Sequence, residues 1–236
     1  MTRGVFITGT DTGVGKTRVG AALAHLLTRR GLRVRPRKPV ESGCVPGPHG
    51  LVPQDAAVLR EAAGRAEPLE RICPYRLRAP LSPERAAELE GMALDLGRLH
   101  AACVAGVESD DFLLVEGAGG FYSPMARGAL NADLAGGLGL PVLVVAADRL
   151  GTLNHTLLTV EAVRMRGFAL AGLILNQPAP QPDHEMDNAA DLERWLRRPV
   201  LRLPCGSASG VEAWRQEAAL LAPLADAWFA EEIEKL

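Results

Sequence analysis

Gly9-Thr10-Asp11-Thr12-Gly13-Val14-Gly15-Lys16-Thr17 constrains this chain more than any other stretch. An apolar run, Val5-Phe6-Ile7, precedes it, and an amphipathic one, Arg18 to Leu27, follows. A short strand therefore feeds a glycine-rich turn that opens a helix. That is the layout of a phosphate-binding loop. Its glycines let successive backbone N–H groups converge on phosphate oxygens, and the helix N-terminus adds partial positive charge. Lys16 can reach the outer phosphates, and the Thr17 hydroxyl can ligate Mg²⁺. Gly13, Val14, Gly15, Lys16, Thr17 and Arg18 are thus predicted to hold nucleotide phosphates. An ordinary strand-to-helix turn has no need of the lysine. The common loop places four residues between its first glycine and Gly-Lys; here Gly9 and Gly15 enclose five. A variant with a second lysine five positions before the first, found in partition and septum-site ATPases, is disfavoured because that position is Asp11.

Apolar runs alternate with helical patterns along all 236 residues. The expected fold class is α/β, a P-loop NTPase-like, mostly parallel sheet with helices on both faces. Strands are predicted near 3–8, 33–38, 111–116, 141–147, 169–175 and 199–203. Helices are predicted near 16–30, 54–64, 83–105, 131–138, 153–166, 185–197 and 211–230. Gly31 and Gly167 stand where helix stops belong. Pro178 to Pro182 reads as a surface loop. With no linker or repeat, one domain over 1–236 is expected. A net charge of −2 implies no broad nucleic-acid footprint. Met1-Thr-Arg leads straight into the first strand, so no signal peptide is expected. The apolar run near Leu138–Ala147 is too short to span a bilayer. Cys44, Cys73, Cys103 and Cys205 form no CxxC pair and read as free thiols of a cytoplasmic protein. The histidines show no metal spacing.

In such sheets ligands bind outside the carboxyl ends of the strands. After the second strand comes Lys38-Pro39-Val40-Glu41-Ser42-Gly43. Of 26 basic residues only Lys16, Lys38 and Lys235 are lysine, and two of these end the first two predicted strand units. A compact ammonium differs chemically from a guanidinium, so Lys38 reads as a cation for a transferring phosphoryl group. The alternative is a lysine snorkelling at the sheet edge. Asp55 is either a helix cap, the simpler reading, or a metal carboxylate. Glu116 ends a buried strand and is followed by Gly117-Ala118-Gly119-Gly120; an acid there suits a Mg²⁺ ligand better than a structural ion pair. Gly151-Thr152-Leu153-Asn154 opens a helix after Asp148 and is either a carboxylate site or simple capping. Asn176 can read a base edge or cap a turn.

Together these segments resemble dethiobiotin synthetases. The resemblance runs through nearly the whole chain, on Gly9–Thr17, Lys38–Gly43, Asp55, Pro74-Tyr75 with Ser82-Pro83, Glu116–Gly120, Leu150–His155 and Asn176. It implies ATP-dependent formation of a cyclic urea from 7,8-diaminononanoate and CO₂, through a carbamate and a carbamic-phosphoric anhydride. Lys38, Lys16 and Thr12 would be catalytic, and Thr12, Lys38 and Ser42 would hold the substrate. Thr17, Asp55 and Glu116 would ligate Mg²⁺. Glu116 to Gly119, Asn176, Gln177, Pro204, Cys205 and Gly206 would complete the ATP site. A homodimer would place Gly151 to Asn154 of one subunit against the substrate tail held by the other. The chain departs from the family pattern at Gly13, where some relatives carry an acid, and at Glu84, where many carry histidine. It also has no tail tyrosine around His184 to Asn188. The nearest rival readings are the synthetase subunit of a cobalamin-type amidotransferase, a partition-type regulatory ATPase and a paralogue that binds nucleotide without turnover.

Overall fold

The computed structural model describes residues 3–179 and 185–233. Most of the Pro178–Pro182 loop, His184 and Lys235 lie outside these. In chain order the elements are β1 (Gly4–Gly9), α1 (Lys16–Arg29), β2 (Arg33–Arg37), β3 (Val40–Glu41), β4 (Val45–Gly47), β5 (Gly50–Val52), α2 (Gln54–Ala62) and α3 (Leu69–Ile72). There follow β6 (Tyr75–Arg76), α4 (Pro83–Leu89), α5 (Leu96–Val104), β7 (Asp111–Gly120), β8 (Pro124–Ala126), β9 (Ala129–Leu130), α6 (Asn131–Leu138) and β10 (Val142–Ala147). The chain continues through α7 (Thr152–Met165), β11 (Leu170–Asn176), α8 (Asn188–Leu196) and β12 (Leu201–Leu203) to α9 (Gly210–Ile233).

Six strands form one parallel sheet in the order β12-β11-β10-β1-β7-β2. Its inner strands β11, β10, β1 and β7 are mostly apolar, as a sheet covered on both faces requires, while the edge strand β2 carries Arg33, Arg35 and Arg37. Alternate residues feed separate cores. Phe6, Leu113, Val115, Val142 and Val144 pack on one side with Leu134 of α6 and Val160 of α7. Val5, Ile7, Phe112, Leu114 and Val145 pack on the other with α1 and α9. Helix α1 presents Val19, Leu23 and Leu27, each fully buried, at four-residue spacing. The order places β1 at the centre, so the loop after it opens between the ends of β10 and β7.

The six predicted sheet strands all appear, five of them within two residues at each end; the third, predicted over 111–116, runs four residues further, to Gly120, because the glycines after Glu116 continue the strand rather than ending it. The helix predicted over 83–105 does not appear as one: it is two helices, α4 and α5, separated at 90–95. Gly91 takes a left-handed φ of 64°, and Asp95 caps α5 by accepting from the Arg98 N–H at 2.8 Å. The apolar periodicity continues across this break, which hides it. The short ribbons β3–β6, β4–β5 and β8–β9 have no counterpart among the predicted strands. Gly31 and Gly167 hold positive φ, at 86° and 76°, as helix stops do.

Candidate active site

Helix α1 begins without a side-chain cap. Gly15 occupies the cap position at φ 99°, and the first turn carries no acid. Its leading N–H groups therefore remain available to an anion. Only glycine fits at position 15, because a Cβ would land on the Asn176 amide. Lys16 Nζ donates to the Asp11 carbonyl at 2.9 Å, closing the loop on itself. Burial, helped by the nearby Lys38 charge, lowers the Lys16 pKa to about 8.

A cavity of about 500 Å³ lies beside this loop. Thr12, Gly13, Gly15, Lys16, Thr17, Lys38, Ser42, Asp55, Glu116, Ala118 and Gly119 line it. The structure thus brings eleven of the predicted site residues to one space. Glu41, Ser123 and the segment Pro80 to Pro83 also face it.

Lys38 sits at the centre of the charged wall. Its Nζ lies 2.6 Å from Glu116 Oε1, 3.0 Å from Asp55 Oδ2 and 3.3 Å from the Gly117 carbonyl. Burial disfavours the ammonium, but the two carboxylates outweigh it and hold the Lys38 pKa above its usual value. Burial likewise opposes the Asp55 carboxylate, and the Lys38 charge overcomes it, holding that pKa down. The Thr17 hydroxyl donates to Glu116 Oε1 at 2.9 Å. Sheet-edge snorkelling is therefore not what Lys38 does.

Thr17, Asp55 and Glu116 fit Mg²⁺ by chemistry, since one hydroxyl and two carboxylates are hard oxygen donors. Glu116 Oε2 is buried with no hydrogen-bond partner, which leaves acceptor capacity at this spot. Among the described residues no group of three or more His, Cys, Asp or Glu side chains could hold a metal. A cation here would need the threonine hydroxyl and ligand oxygens as well.

Behind Glu116, β7 runs on to Gly120. The buried Asn131 amide holds this extension, accepting from Ala118 N–H at 3.1 Å and donating to the Ala118 and Gly120 carbonyls. A Cβ at Gly117 would collide with the Asn131 side chain, so the glycine is needed there.

A second cluster forms behind the loop. Arg18 does not turn its guanidinium toward the cavity. It bonds Glu217 Oε1 at 2.6 Å, Asn176 Oδ1 at 2.7 Å and the Pro204 carbonyl at 2.8 Å. Asn176 Nδ2 in turn donates to the Val14 carbonyl at 2.9 Å. The Cys205 N–H reaches Gln177 Oε1 at 3.5 Å. Val14, Asn176, Gln177 and Pro204 to Gly206 are thus gathered at one place, outside the cavity's lining. Gly151 to Asn154 lie apart from both clusters. Gly151 caps α7 at φ 89°, Thr152 is buried against Thr156, and Asn154 is exposed. Glu84 accepts from the Gly128 N–H at 3.0 Å. Cys44, Cys73, Cys103 and Cys205 are free, the first three buried.

The family described as "AAA domain" matches residues 3–204. The ATP-dependent dethiobiotin synthetase BioD of Anaeromyxobacter dehalogenans strain 2CP-1 is 50% identical over 204 residues, covering 86% of this chain and 90% of that protein. The chain belongs to the dethiobiotin synthetase family. The synthetase of Anaeromyxobacter sp. strain K is 48% identical, covering 86% of this chain and 90% of that one. A ParA family ATPase from Chlorobium tepidum TLS superposes with a TM-score of 0.54 at 16% identity, covering 94% of this chain and 91% of the other. That likeness concerns the fold alone, P-loop NTPase-like as predicted. Within the dethiobiotin synthetase family resemblance, sequence reasoning missed Glu41, Asn131 and Glu217. Glu41 was visible as an acid inside the Lys38–Gly43 motif. Asn131 and Glu217 carry no local signal.

Proposed function

We propose that this chain forms dethiobiotin from 7,8-diaminononanoate, CO₂ and ATP, as a single-domain cytoplasmic homodimer. The observation that carries the reading is Lys38, an ammonium delivered from the end of β2 to the carboxylates beside the phosphate loop. Membership of the family supports it. A nucleotide switch has no need of that second lysine.

One substrate amine adds to the carbon of CO₂ and loses a proton, giving a carbamate. A carbamate oxygen then attacks the γ-phosphorus of ATP and ADP leaves. The second amine attacks the carbamoyl carbon, phosphate departs with the C–O bond electrons, and the ring closes with loss of a proton. Each step needs positioned charge rather than a protein nucleophile. In this reading Thr12 and Ser42 orient the carbamate and the diamine. Lys16 and Lys38 offset charge on the carbamate and the γ-phosphate. The backbone of Gly13 to Arg18 cradles the phosphates, and Glu116 to Gly119 pass beside them. Asn176, Gln177 and Pro204 to Gly206 flank the adenine. Thr17, Asp55 and Glu116 would hold Mg²⁺, which would neutralise developing phosphate charge. Gly151 to Asn154 of the second subunit receive the carboxylate tail at the α7 N-terminus.

The test is phosphate release from Mg-ATP and bicarbonate, with and without the diamine, alongside mass detection of dethiobiotin. Diamine-dependent release with matching product is expected. Hydrolysis indifferent to the diamine would overturn the reading.

A further inference from the structure

Among the described residues that line the cavity, Glu41 is the one charge that the proposed reaction leaves without a task. It is 6% exposed, and a carboxylate so placed is costly unless it is hydrogen-bonded. Its two oxygens accept from the Asp55 and Ala56 N–H groups, each at 3.0 Å. These donors belong to the first turn of α2. The cap position of that helix is Pro53, which makes no side-chain cap. Serine or aspartate there would close the turn locally. Instead the acceptor comes from β3, which pairs with β6 and follows Lys38 by two residues.

The arrangement does more than finish a helix. Lys38 and Glu41 leave β2 on one short segment, while Asp55 rides on α2. The Glu41 bonds fasten that segment to that helix beside the 3.0 Å contact between Lys38 and Asp55. Asp55 is also the most exposed of the cavity carboxylates, at 43% of its side chain, so little packing fixes it. Its placement depends on the backbone beneath it. We propose that Glu41 is a positioning residue, whose tie between β3 and α2 sets Asp55 at the distance from Lys38 and Glu116 at which it can meet a divalent cation. The inference rests on the reading of Asp55 as a metal ligand under the proposed function.

The test measures Mn²⁺ binding to the full chain with ADP, by the electron paramagnetic resonance signal of free Mn²⁺, together with melting temperature. The variants are Asp55→Asn, Glu41→Gln, Glu41→Ala and Glu41→Ala combined with Pro53→Ser. Glu41→Ala should weaken Mn²⁺ binding roughly tenfold, the scale of one lost charge-assisted hydrogen-bonding partner. Glu41→Gln, which keeps an acceptor oxygen, should recover most of it. Adding Pro53→Ser should restore the melting temperature but not the affinity, because it caps α2 without the tie to β3. This double variant also carries the test if Glu41→Ala alone fails to fold. Affinity restored by the serine would overturn the inference in favour of simple capping. Unchanged affinity in Glu41→Ala, with Asp55→Asn weakened, would overturn it as well. Unchanged affinity in Asp55→Asn would overturn the reading of Asp55 on which it stands.

Discussion

The two polar clusters flanking the phosphate loop are built on opposite terms. On the cavity side, Lys38, Asp55, Glu116 and Thr17 share bonds yet keep capacity in hand. Glu116 Oε2 has no partner, and Asp55 is nearly half exposed. On the far side, Arg18 spends its donors on Glu217, Asn176 and the Pro204 carbonyl, and both ends of the Asn176 amide are taken. The first cluster can exchange an internal bond for a ligand without losing its frame. The second is a clamp that fixes the loops after β11 and β12 to helix α1. Charge that keeps bonding capacity at a cavity stays open to a ligand, and charge whose bonds are all taken across elements serves position.

The comparison breaks most severely at Lys38. Lys38→Gln removes the cation from the cavity cluster and should lower diamine-dependent turnover by about 10²- to 10³-fold. It also leaves the Glu116 carboxylate buried beside an uncharged group, so thermal unfolding should register a cost of about 3 kcal/mol. Arg18→Ala attacks the clamp instead. It strands Glu217, whose side chain is 8% exposed, at a cost of about 2 kcal/mol. Nucleotide KM should rise roughly tenfold while kcat holds within about twofold, since no group on the reacting atoms is lost. Equal loss of kcat would place Arg18 in the chemistry and erase the distinction.

A smaller effect is expected at the α7 N-terminus. Thr152 is buried against Thr156, so Asn154→Ala is the clean probe of tail binding. The diamine KM should rise about threefold to tenfold, the value of one hydrogen bond to a charged group, with the ATP KM unmoved. The smallest effect concerns protons. Lys16 is depressed from 10.5 to about 8 by burial. Below pH 8 it is already an ammonium; between about 8 and 10.5 the free site lacks a proton that bound phosphate would restore. Calorimetry of nucleotide binding in buffers of different ionisation enthalpy should therefore show proton uptake at pH 9 and little at pH 6.5.

The sequence carried the cavity cluster well and the clamp poorly, for a physical reason. Glycine spacing, a lysine ending a strand and an acid ending another are local patterns, and a parallel sheet brings its strand ends together. Lys38 and Glu116 were legible on that logic alone. The contact of Arg18 with Glu217 spans 199 residues, and α9 approaches α1 only through tertiary packing. Arg18 in a phosphate loop reads as a phosphate ligand until the fold shows its guanidinium turned away. The break between α4 and α5 was hidden by continuous apolar periodicity, although Gly91 and Asp95 carried the signals of a stop and a cap. Asp55 was legible as either cap or ligand. The cap on its helix belongs to Glu41, which frees the Asp55 side chain to face Lys38.

The most direct test of the account is phosphate release by the purified chain from Mg-ATP and bicarbonate, measured with and without 7,8-diaminononanoate while dethiobiotin is followed by mass. The account predicts release that requires the diamine, one phosphate per dethiobiotin, and loss of both signals in Lys38→Gln. Release that ignores the diamine, or that survives Lys38→Gln at full rate, would contradict it.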